Sequence, residues 1–299
     1  MLLNRTTWAA CGSTASFVLL WSSGAIFSRL GLDHASTFIL LVLRFAVASG
    51  VLILVSAVLR QPLLPLPGTR VRVALTGLLM IGGYSNCYFL ALAHGVTPGV
   101  LATILGVQPI LTLVLLERRF TLPRVIGLAL SFGGLVLVVY QSMEMTHLSV
   151  WGTLFALGAL TSATSGAILQ KRVRQPPAQV LPLQYAMSGL LSLALVPSQA
   201  FHLEYTIGLL IPLLWLGVVI SVIAQLLLYR LIHHGNLVNV TSLFYLVPIV
   251  TAAMDYLFLG NRLSSISLIG MAAIVLGLVV VFRAGRPSPL GQAAAKRTW

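Results

Sequence analysis

The chain has 299 residues, of which 58% are hydrophobic and only 8% are charged, and its mean hydropathy is +1.01. Soluble domains carry roughly 25% charged residues, so this composition excludes a water-soluble globular protein. The formal net charge of +13 does not indicate nucleic-acid binding, because the basic residues are scattered singly between long apolar runs instead of sharing one polar face.

Ten apolar segments follow one another along the chain, and each is close to the length of about 20 residues that a membrane-crossing helix needs. In chain order these spans lie at about 9–28, 35–59, 73–93, 98–116, 122–140, 150–169, 179–198, 207–229, 237–259 and 264–282. The connections are short, so the sequence predicts an all-α integral membrane protein whose ten transmembrane helices form one bundle. Residues 284–299 are predicted to be a cytoplasmic tail.

The basic residues predict how this bundle is oriented. If the N-terminus is cytoplasmic, every Lys and Arg lies in a cytoplasmic tail or connection, except Arg29, Arg44 and Arg262. Cytoplasmic loops are enriched in Lys and Arg. The sequence therefore predicts cytoplasmic N- and C-termini in a bacterial-type inner membrane.

A repeat at an offset of about 140 residues relates the two halves of the chain. Ser-Gly-Ala-Ile at 23–26 in span 1 recurs at 165–168 in span 6, and Pro109 in span 4 has its counterpart in Pro248 in span 9. Each half contains five spans, an odd number, so the second half must enter the membrane upside down. The sequence therefore predicts two inverted five-helix repeats, at 9–140 and 150–283.

Several short motifs, taken in order, resemble those of a known family. They are the Arg44-Phe45 pair in span 2, the small-residue runs before Pro109 and Pro248, the corners at 117–120 and 260–263, and the glycine-punctuated spans 5 and 10. Over about residues 10–283 the chain is similar to the ten-helix branch of the drug/metabolite transporter superfamily, which is built from two EamA-type repeats. The resemblance implies export of amino acids and other small metabolites without ATP.

Polar side chains in the middle of the spans predict a substrate cavity. Such groups are costly against lipid and face the bundle interior or a wet cavity, and inverted-repeat transporters bind substrate near the midplane between their halves. Spans 1, 3 and 4 and their counterparts 6, 8 and 9 are therefore predicted to line the cavity. The candidate substrate-binding residues are Trp21, Ser22, Ser23, Tyr84, Tyr88, Thr103, Gln108, Thr164, Ser165, Gln225, Tyr229, Ser242 and Tyr245. Any one of the Ser and Thr hydroxyls can instead bond to its own helix.

Two prolines and two charges inside the spans each allow two interpretations. Pro109 and Pro248 each remove a backbone hydrogen bond. They act either as hinges for alternating access or as kinks that shape the bundle. Arg44 lies deep in span 2 and either binds a substrate carboxylate or fixes the fold through backbone carbonyls. Asp255, near the outer end of span 9, is either a partner for Arg44 or a gate residue.

The sequence thus predicts a monomeric secondary transporter that exports small organic metabolites by alternating access, most of all aromatic or hydrophobic amino acids. A nucleotide-sugar transporter is the alternative within the superfamily, although its cavity would be strongly basic and only Arg44 is available. A passive facilitator is a further alternative. An integral-membrane transferase would need clustered acids for Mg²⁺, and the five Asp and Glu residues are scattered. The predicted partners are the substrate and the lipid bilayer, with no cofactor, metal or nucleic acid.

Overall fold

The computed structural model describes residues 5–58, 60, 62–116, 121–144, 149–254 and 264–284. These residues form helices, and within them the only β-type contact is an isolated bridge between Ala35 and Leu203. The helices are α1 (Arg5–Leu32), α2 (Thr37–Val58), α3 (Arg70–Ala93), α4 (Pro98–Leu116), α5 (Leu122–Glu144), α6 (Val150–Lys171), α7 (Pro177–Ser198), α8 (Ile207–His234), α9 (Leu237–Ala253) and α10 (Ser265–Ala284).

Within the described ranges, nine helices are long and apolar enough to cross a membrane. The exception is α9, which is apolar but shorter, and the end of predicted span 9, including Asp255, lies outside the described residues. The tail beyond Ala284 also lies outside them. The predicted all-α membrane fold is confirmed, whereas the count of ten spans stays a prediction.

Side-chain caps mark where several of these helices begin. The first N–H groups of a helix have no partner inside it, and Ser, Thr or Asn at the preceding position accepts from them. Thr97 accepts from the Val100 amide before α4, and Ser149 accepts from the Gly152 amide before α6. Asn236 accepts from two amides at the start of α9. Polar caps therefore separate apolar segments that would otherwise run together.

Regular α-helical geometry is interrupted at matching places in the two halves. A π-helical stretch lies inside α3 at Leu78–Gly83 and another inside α8 at Trp215–Ala224. Helix α4 is broken between Leu105 and Gln108, and α9 contains a 3₁₀ turn at Leu243–Tyr245. A proline clashes with the carbonyl four residues before it. Both α4 and α9 change geometry at about that distance before Pro109 and Pro248, so the prolines account for the breaks.

The helix–helix contacts between the two halves of the chain follow a symmetric pattern. Helix α1 packs on α8 while α6 packs on α3, and α2 packs on α8 while α7 packs on α3. Helices α2 and α7 pack on each other across the halves, as do α5 and α10. These contacts from the first half to the second thus come in pairs that are related by exchanging the two halves.

Glycines allow α5 and α10 to touch backbone to backbone. A Cβ added at Gly134 would lie 2.6 Å from the Gly270 carbonyl oxygen, and one added at Gly270 would lie 2.6 Å from that of Gly134. Gly127 approaches the Gly277 carbonyl in the same way, at 2.8 Å. Small residues permit such close approach between membrane helices, so these glycines form a continuous contact that we call the glycine seam.

Candidate functional site

A cavity of about 540 Å³ lies inside the bundle. Each of the ten helices contributes at least one residue to its wall, which is largely apolar but holds a small group of polar side chains. Pockets for small organic ligands occupy roughly 300–1,000 Å³ and combine apolar walls with a few placed polar groups. The cavity therefore has the size and lining of a small-molecule site.

Arg44 brings a positive charge into this wall from α2. Its Nε donates a hydrogen bond to the Ser221 hydroxyl of α8 at 2.8 Å. The guanidinium carbon lies 5.8 Å from the centre of the Phe45 ring and 6.0 Å from that of Phe89. Tyr185, from α7, donates to the Ser221 backbone carbonyl. Arg44 is thus held on one side by a buried contact that joins α2, α7 and α8.

The other side of Arg44 faces the cavity. In the part of the chain that the structure describes, neither terminal nitrogen of Arg44 has a hydrogen-bond partner, and no carboxylate pairs with it. The described carboxylates that form ion pairs are Asp33 and Glu204, both largely exposed. The described wall therefore presents a cation whose terminal N–H groups are available.

Aromatic and amide groups surround the rest of the cavity. The rings of Tyr84 and Tyr88, one turn apart on α3, lie 5.6 Å from each other. Trp21 of α1 packs edge-on against Phe244 of α9 at 5.5 Å. The Gln108 side chain is 7% exposed, and its amide makes no hydrogen bond to the described residues. The wall can accordingly stack against an apolar ligand and offer it a few hydrogen bonds.

The structure brings part of the predicted site together. The members of the predicted set that lie in the cavity wall are Trp21, Arg44, Tyr84, Tyr88, Gln108, Gln225 and Pro248. Asp255 lies outside the described residues. Substrate binding by the wall residues stays a prediction.

The remaining predicted residues lie outside the cavity wall. Ser22, Thr103, Thr164 and Ser242 each donate to a backbone carbonyl four residues earlier in the same helix. Ser23 also donates within its helix, to the Leu20 carbonyl, and accepts from the Trp215 indole. Each of these hydroxyls donates to a backbone carbonyl, and none of these residues lies in the cavity wall, so their part in substrate binding stays a prediction.

Four further predicted residues also lie outside the cavity wall. Tyr229 donates to the Gln184 side-chain oxygen at 2.8 Å, inside the protein core. Tyr245 is fully buried in the apolar cluster between α9, α5 and α10. Ser165 is exposed on the outer surface of α6, and Pro109 is buried in α4 away from the wall.

Some wall residues were not predicted from the sequence. Tyr185 belongs to span 7, which was not among the predicted lining spans, although a tyrosine in the middle of an apolar span is a signal that would have found it. Helices α5 and α10, which were not among the predicted lining spans either, reach the cavity through Val138, Val139 and Ser267. These three are ordinary residues of an apolar helix, and nothing in their sequence marks them.

The two ends of the bundle differ. At the end where α3 meets α4, the cavity reaches Thr97, Gly99 and Ser267, close to the first residues of α4 and α10. At the opposite end, where α8 meets α9, the starts of α5 and α9 are joined, because Arg124 donates to the side-chain oxygens of Asn236 at 2.8 Å and Asn239 at 3.0 Å.

A second basic side chain joins helices at the α8–α9 end. Lys171, at the end of α6, donates to the backbone carbonyls of Ile232, His233 and Gly235 at 2.6, 3.0 and 2.6 Å. These carbonyls lie in the last turn of α8 and at the residue just after it, where a positive charge is favoured. The α8–α9 end is therefore tied by side-chain contacts, and the cavity wall reaches Thr97 and Gly99 near the α3–α4 end and Ile232 near the α8–α9 end.

The sequence is similar to those of several known transporters. Over 88% of its length the chain is 25% identical to a protein of Salmonella typhimurium named "Probable amino-acid metabolite efflux pump", and it covers 91% of that protein. It is also 25% identical to the uncharacterized transporter YvbV of Bacillus subtilis, over 89% of each chain. The uncharacterized inner membrane transporter YedA of Escherichia coli is 22% identical over 90% of this chain.

A solved crystal structure has the same fold. It matches 93% of this chain and 99% of its own with a TM-score of 0.78 at 20% sequence identity. The sequence profile of the EamA-like transporter family matches residues 8–140 and 150–283, which together span nearly the whole chain. The chain therefore belongs to the EamA-like transporter family of the drug/metabolite transporter superfamily and is a multi-pass membrane transporter.

Proposed function

We propose that the protein is a secondary transporter that exports small organic metabolites, with aromatic and other hydrophobic amino acids as its main cargo. The cavity of about 540 Å³, whose described wall is apolar and aromatic and holds one cation, carries this proposal. Trp21, Tyr84, Tyr88 and Gln108 contact the cargo in it. A hydrophobic amino acid matches such a wall because it combines a carboxylate with an apolar body that stacks on aromatic rings.

Similarity to other transporters supports the same cargo class. The two relatives from Salmonella typhimurium and Escherichia coli that are named as amino-acid metabolite efflux pumps are 25% and 23% identical to this chain. The single cation in the described wall argues against nucleotide-linked sugars, because a diphosphate needs several positive charges or a metal ion to balance it.

We infer that the molecule consists of two inverted five-helix repeats, 9–140 and 150–283, with ten spans. The exchanged helix contacts support this arrangement, as do the matching π-helical stretches and the matching breaks before Pro109 and Pro248. The family profile also matches two stretches with nearly these bounds. An inverted repeat gives a carrier two related conformations in which the halves exchange roles.

Alternating access follows from the difference between the two ends. The α8–α9 end carries the basic residues that cytoplasmic loops favour, so we assign it to the cytoplasm together with both termini. In the described conformation Arg124 and Lys171 hold that end together, and no Arg or Lys side chain joins helices in this way among the described residues at the α3–α4 end. Export requires these contacts to break so that a cytoplasmic metabolite can enter. One copy of the chain contains the whole cavity, which supports a monomer in the inner membrane.

Uptake into proteoliposomes tests the proposed function. The purified protein is reconstituted and supplied with a panel of radiolabelled amino acids, with and without an imposed proton gradient. We expect aromatic and aliphatic amino acids to cross faster than in protein-free liposomes. A rate that follows the gradient indicates proton coupling, and a rate that ignores it indicates a facilitator. If no amino acid crosses faster than in protein-free liposomes, the proposed cargo is wrong.

A matched pair of tryptophans serves as the control for the site. Trp21 lies in the cavity wall, whereas Trp151, at the start of α6, is 65% exposed on the surface. We expect Trp21→Ala to lower the uptake rate and Trp151→Ala to keep the rate of the unmodified protein. Equal rates in the two variants would remove Trp21 from the site.

A further inference from the structure

We propose that Arg44 binds the carboxylate of the cargo, and that the cavity selects for the carboxylate end alone. The transported class is then organic monocarboxylates with an apolar body, of which amino acids are one part. This inference rests on the proposed function and names the chemical class of ligand for the same cavity.

Within the described residues, the contacts of Arg44 leave one edge of its guanidinium without a hydrogen-bond partner. A guanidinium binds a carboxylate with two parallel N–H groups, and it offers more than one such edge. The Nε of Arg44 is engaged by the Ser221 hydroxyl at 2.8 Å. The pair of terminal nitrogens remains, and neither has a partner among the described residues. A carboxylate therefore docks end-on against the two terminal nitrogens.

Ser221 fixes the direction in which that edge points. Its side chain is fully buried, and it lies within the π-helical stretch of α8. The Ser221 backbone carbonyl accepts a hydrogen bond from Tyr185, which is itself 1% exposed. The acceptor for Arg44 is thus held from two directions, so Ser221 is a positioning residue for the proposed anchor.

A purely structural arginine would be bound differently. Burying a charge is costly unless its hydrogen bonds are satisfied, so a structural guanidinium typically has carbonyls or carboxylates on most of its N–H groups. The described residues supply Arg44 with one hydroxyl and with the rings of Phe45 and Phe89 at 5.8 and 6.0 Å. Ring faces stabilise a cation without using its donors, which leaves those donors for the cargo.

The cavity offers no matching charge to an amine. Among the described residues of the wall there is no Asp or Glu. An ammonium group would meet only neutral partners, such as Trp21, Tyr84, Tyr88 and the Gln108 amide. An amine is therefore tolerated but does not determine binding, whereas loss of the carboxylate removes the one charge-assisted contact.

Three matched ligands separate these roles on the unmodified protein. Phenylalanine carries both charges, 3-phenylpropionate carries only the carboxylate, and phenylalaninamide carries only the amine. Competition against a radiolabelled aromatic amino acid is measured on purified protein, together with uptake of each compound into proteoliposomes. We expect phenylalanine and 3-phenylpropionate to bind within about tenfold of each other and phenylalaninamide to bind at least roughly tenfold more weakly.

Variants of the anchor supply a second, independent measurement. We expect Arg44→Gln to weaken binding of both carboxylates by roughly ten- to a hundredfold and to leave phenylalaninamide unchanged. Ser221→Ala is expected to produce a smaller loss, again for carboxylates only. Arg72→Gln, which removes an exposed charge at the start of α3, is the matched control. Arg44→Lys keeps the positive charge but loses the paired N–H groups, and it replaces Arg44→Gln in this measurement if Arg44→Gln does not fold.

The outcomes distinguish this inference from the proposed function. If phenylalaninamide binds and crosses as well as phenylalanine, or if folded Arg44→Gln binds 3-phenylpropionate normally, export of metabolites stands and the anchor is wrong. An equal loss for all three ligands in Arg44→Gln assigns Arg44 to the fold and also overturns the anchor. If none of the ligands binds or crosses, both the anchor and the proposed cargo are wrong.

Discussion

Arg124 at the start of α5 donates a hydrogen bond to the Asn236 side-chain oxygen at the start of α9, across 2.8 Å. The same oxygen caps α9 by accepting from the amides of Val238 and Asn239. One atom thus both begins a helix and ties it to another helix. In the proposed transport cycle this contact must break before the α8–α9 end can open.

We therefore expect Arg124→Gln to favour the form that is open at the α8–α9 end. The reporter is Val240→Cys, a position in the cavity wall one turn from Asn236, in a protein whose native cysteines are replaced by alanine. Labelling is measured in inside-out vesicles with a membrane-impermeant thiol reagent, which reaches the cysteine from the α8–α9 end. Because the variant lacks a charged hydrogen bond at that end, we expect labelling to be roughly tenfold faster. Arg72→Gln is the control, and identical labelling rates would show that Arg124 does not hold this end closed.

The glycine seam gives a prediction about stability. Gly134→Ala places a methyl group 2.6 Å from the Gly270 carbonyl, so α5 and α10 must separate, which costs about 1–3 kcal/mol. The adjacent Gly133→Ala meets nothing within 4 Å and should be neutral or slightly stabilising. Thermal unfolding of the two purified variants in detergent measures the difference. Equal midpoints would mean that the helices can move apart without cost.

The buried contact between Tyr229 and Gln184 predicts that Tyr229 has a structural role and does not bind the substrate. Tyr229→Phe leaves the Gln184 side-chain oxygen without its donor and should destabilise the protein by about 1–3 kcal/mol. Because Tyr229 lies outside the cavity wall, the KM for transport should not change. A raised KM with unchanged stability would return Tyr229 to the substrate site.

Tyr84 and Thr103 give the complementary pair. Tyr84 faces the cavity, so Tyr84→Ala should impair transport through a raised KM while the protein still folds. The Thr103 hydroxyl already bonds to the Gly99 carbonyl of its own helix, and the isosteric Thr103→Val should transport normally. Transport kinetics in proteoliposomes check both variants. Normal transport by Tyr84→Ala would contradict its place in the site.

Much of the fold could be predicted because apolar length and composition decide where membrane helices form. The π-helical stretch at Trp215–Ala224, by contrast, has no signal that can be read from its run of apolar residues. Residues 255–263, with Asp255, lie outside the described part of the chain, so the proposed gate or pair with Arg44 stays a prediction.

The site was predictable only in part, for a physical reason. Long side chains such as Trp21 and Tyr84 cannot satisfy themselves within a helix, so a position in the middle of a span places them in a cavity or a polar core. Short hydroxyls such as Ser22 and Thr164 can bond to a carbonyl one turn away, and their presence in an apolar span then says nothing about a ligand. Tyr229 is an exception among the long side chains, because its hydroxyl donates to the buried side chain of Gln184 and does not reach the cavity.

The π-helical stretch in α3 has a consequence for how the site is encoded. A π turn closes on the fifth residue instead of the fourth, so it holds one residue more than an α turn. If the six residues Leu78–Gly83 formed a regular α-helix instead, the extra residue would no longer be absorbed, and Tyr84 and Tyr88 would rotate by about 100° around the helix axis. Such a protein would keep its hydropathy and its membrane insertion, yet it would present other side chains to the cargo. The identity of the cavity thus depends on the π-helical geometry of Leu78–Gly83 as much as on the residues of its wall.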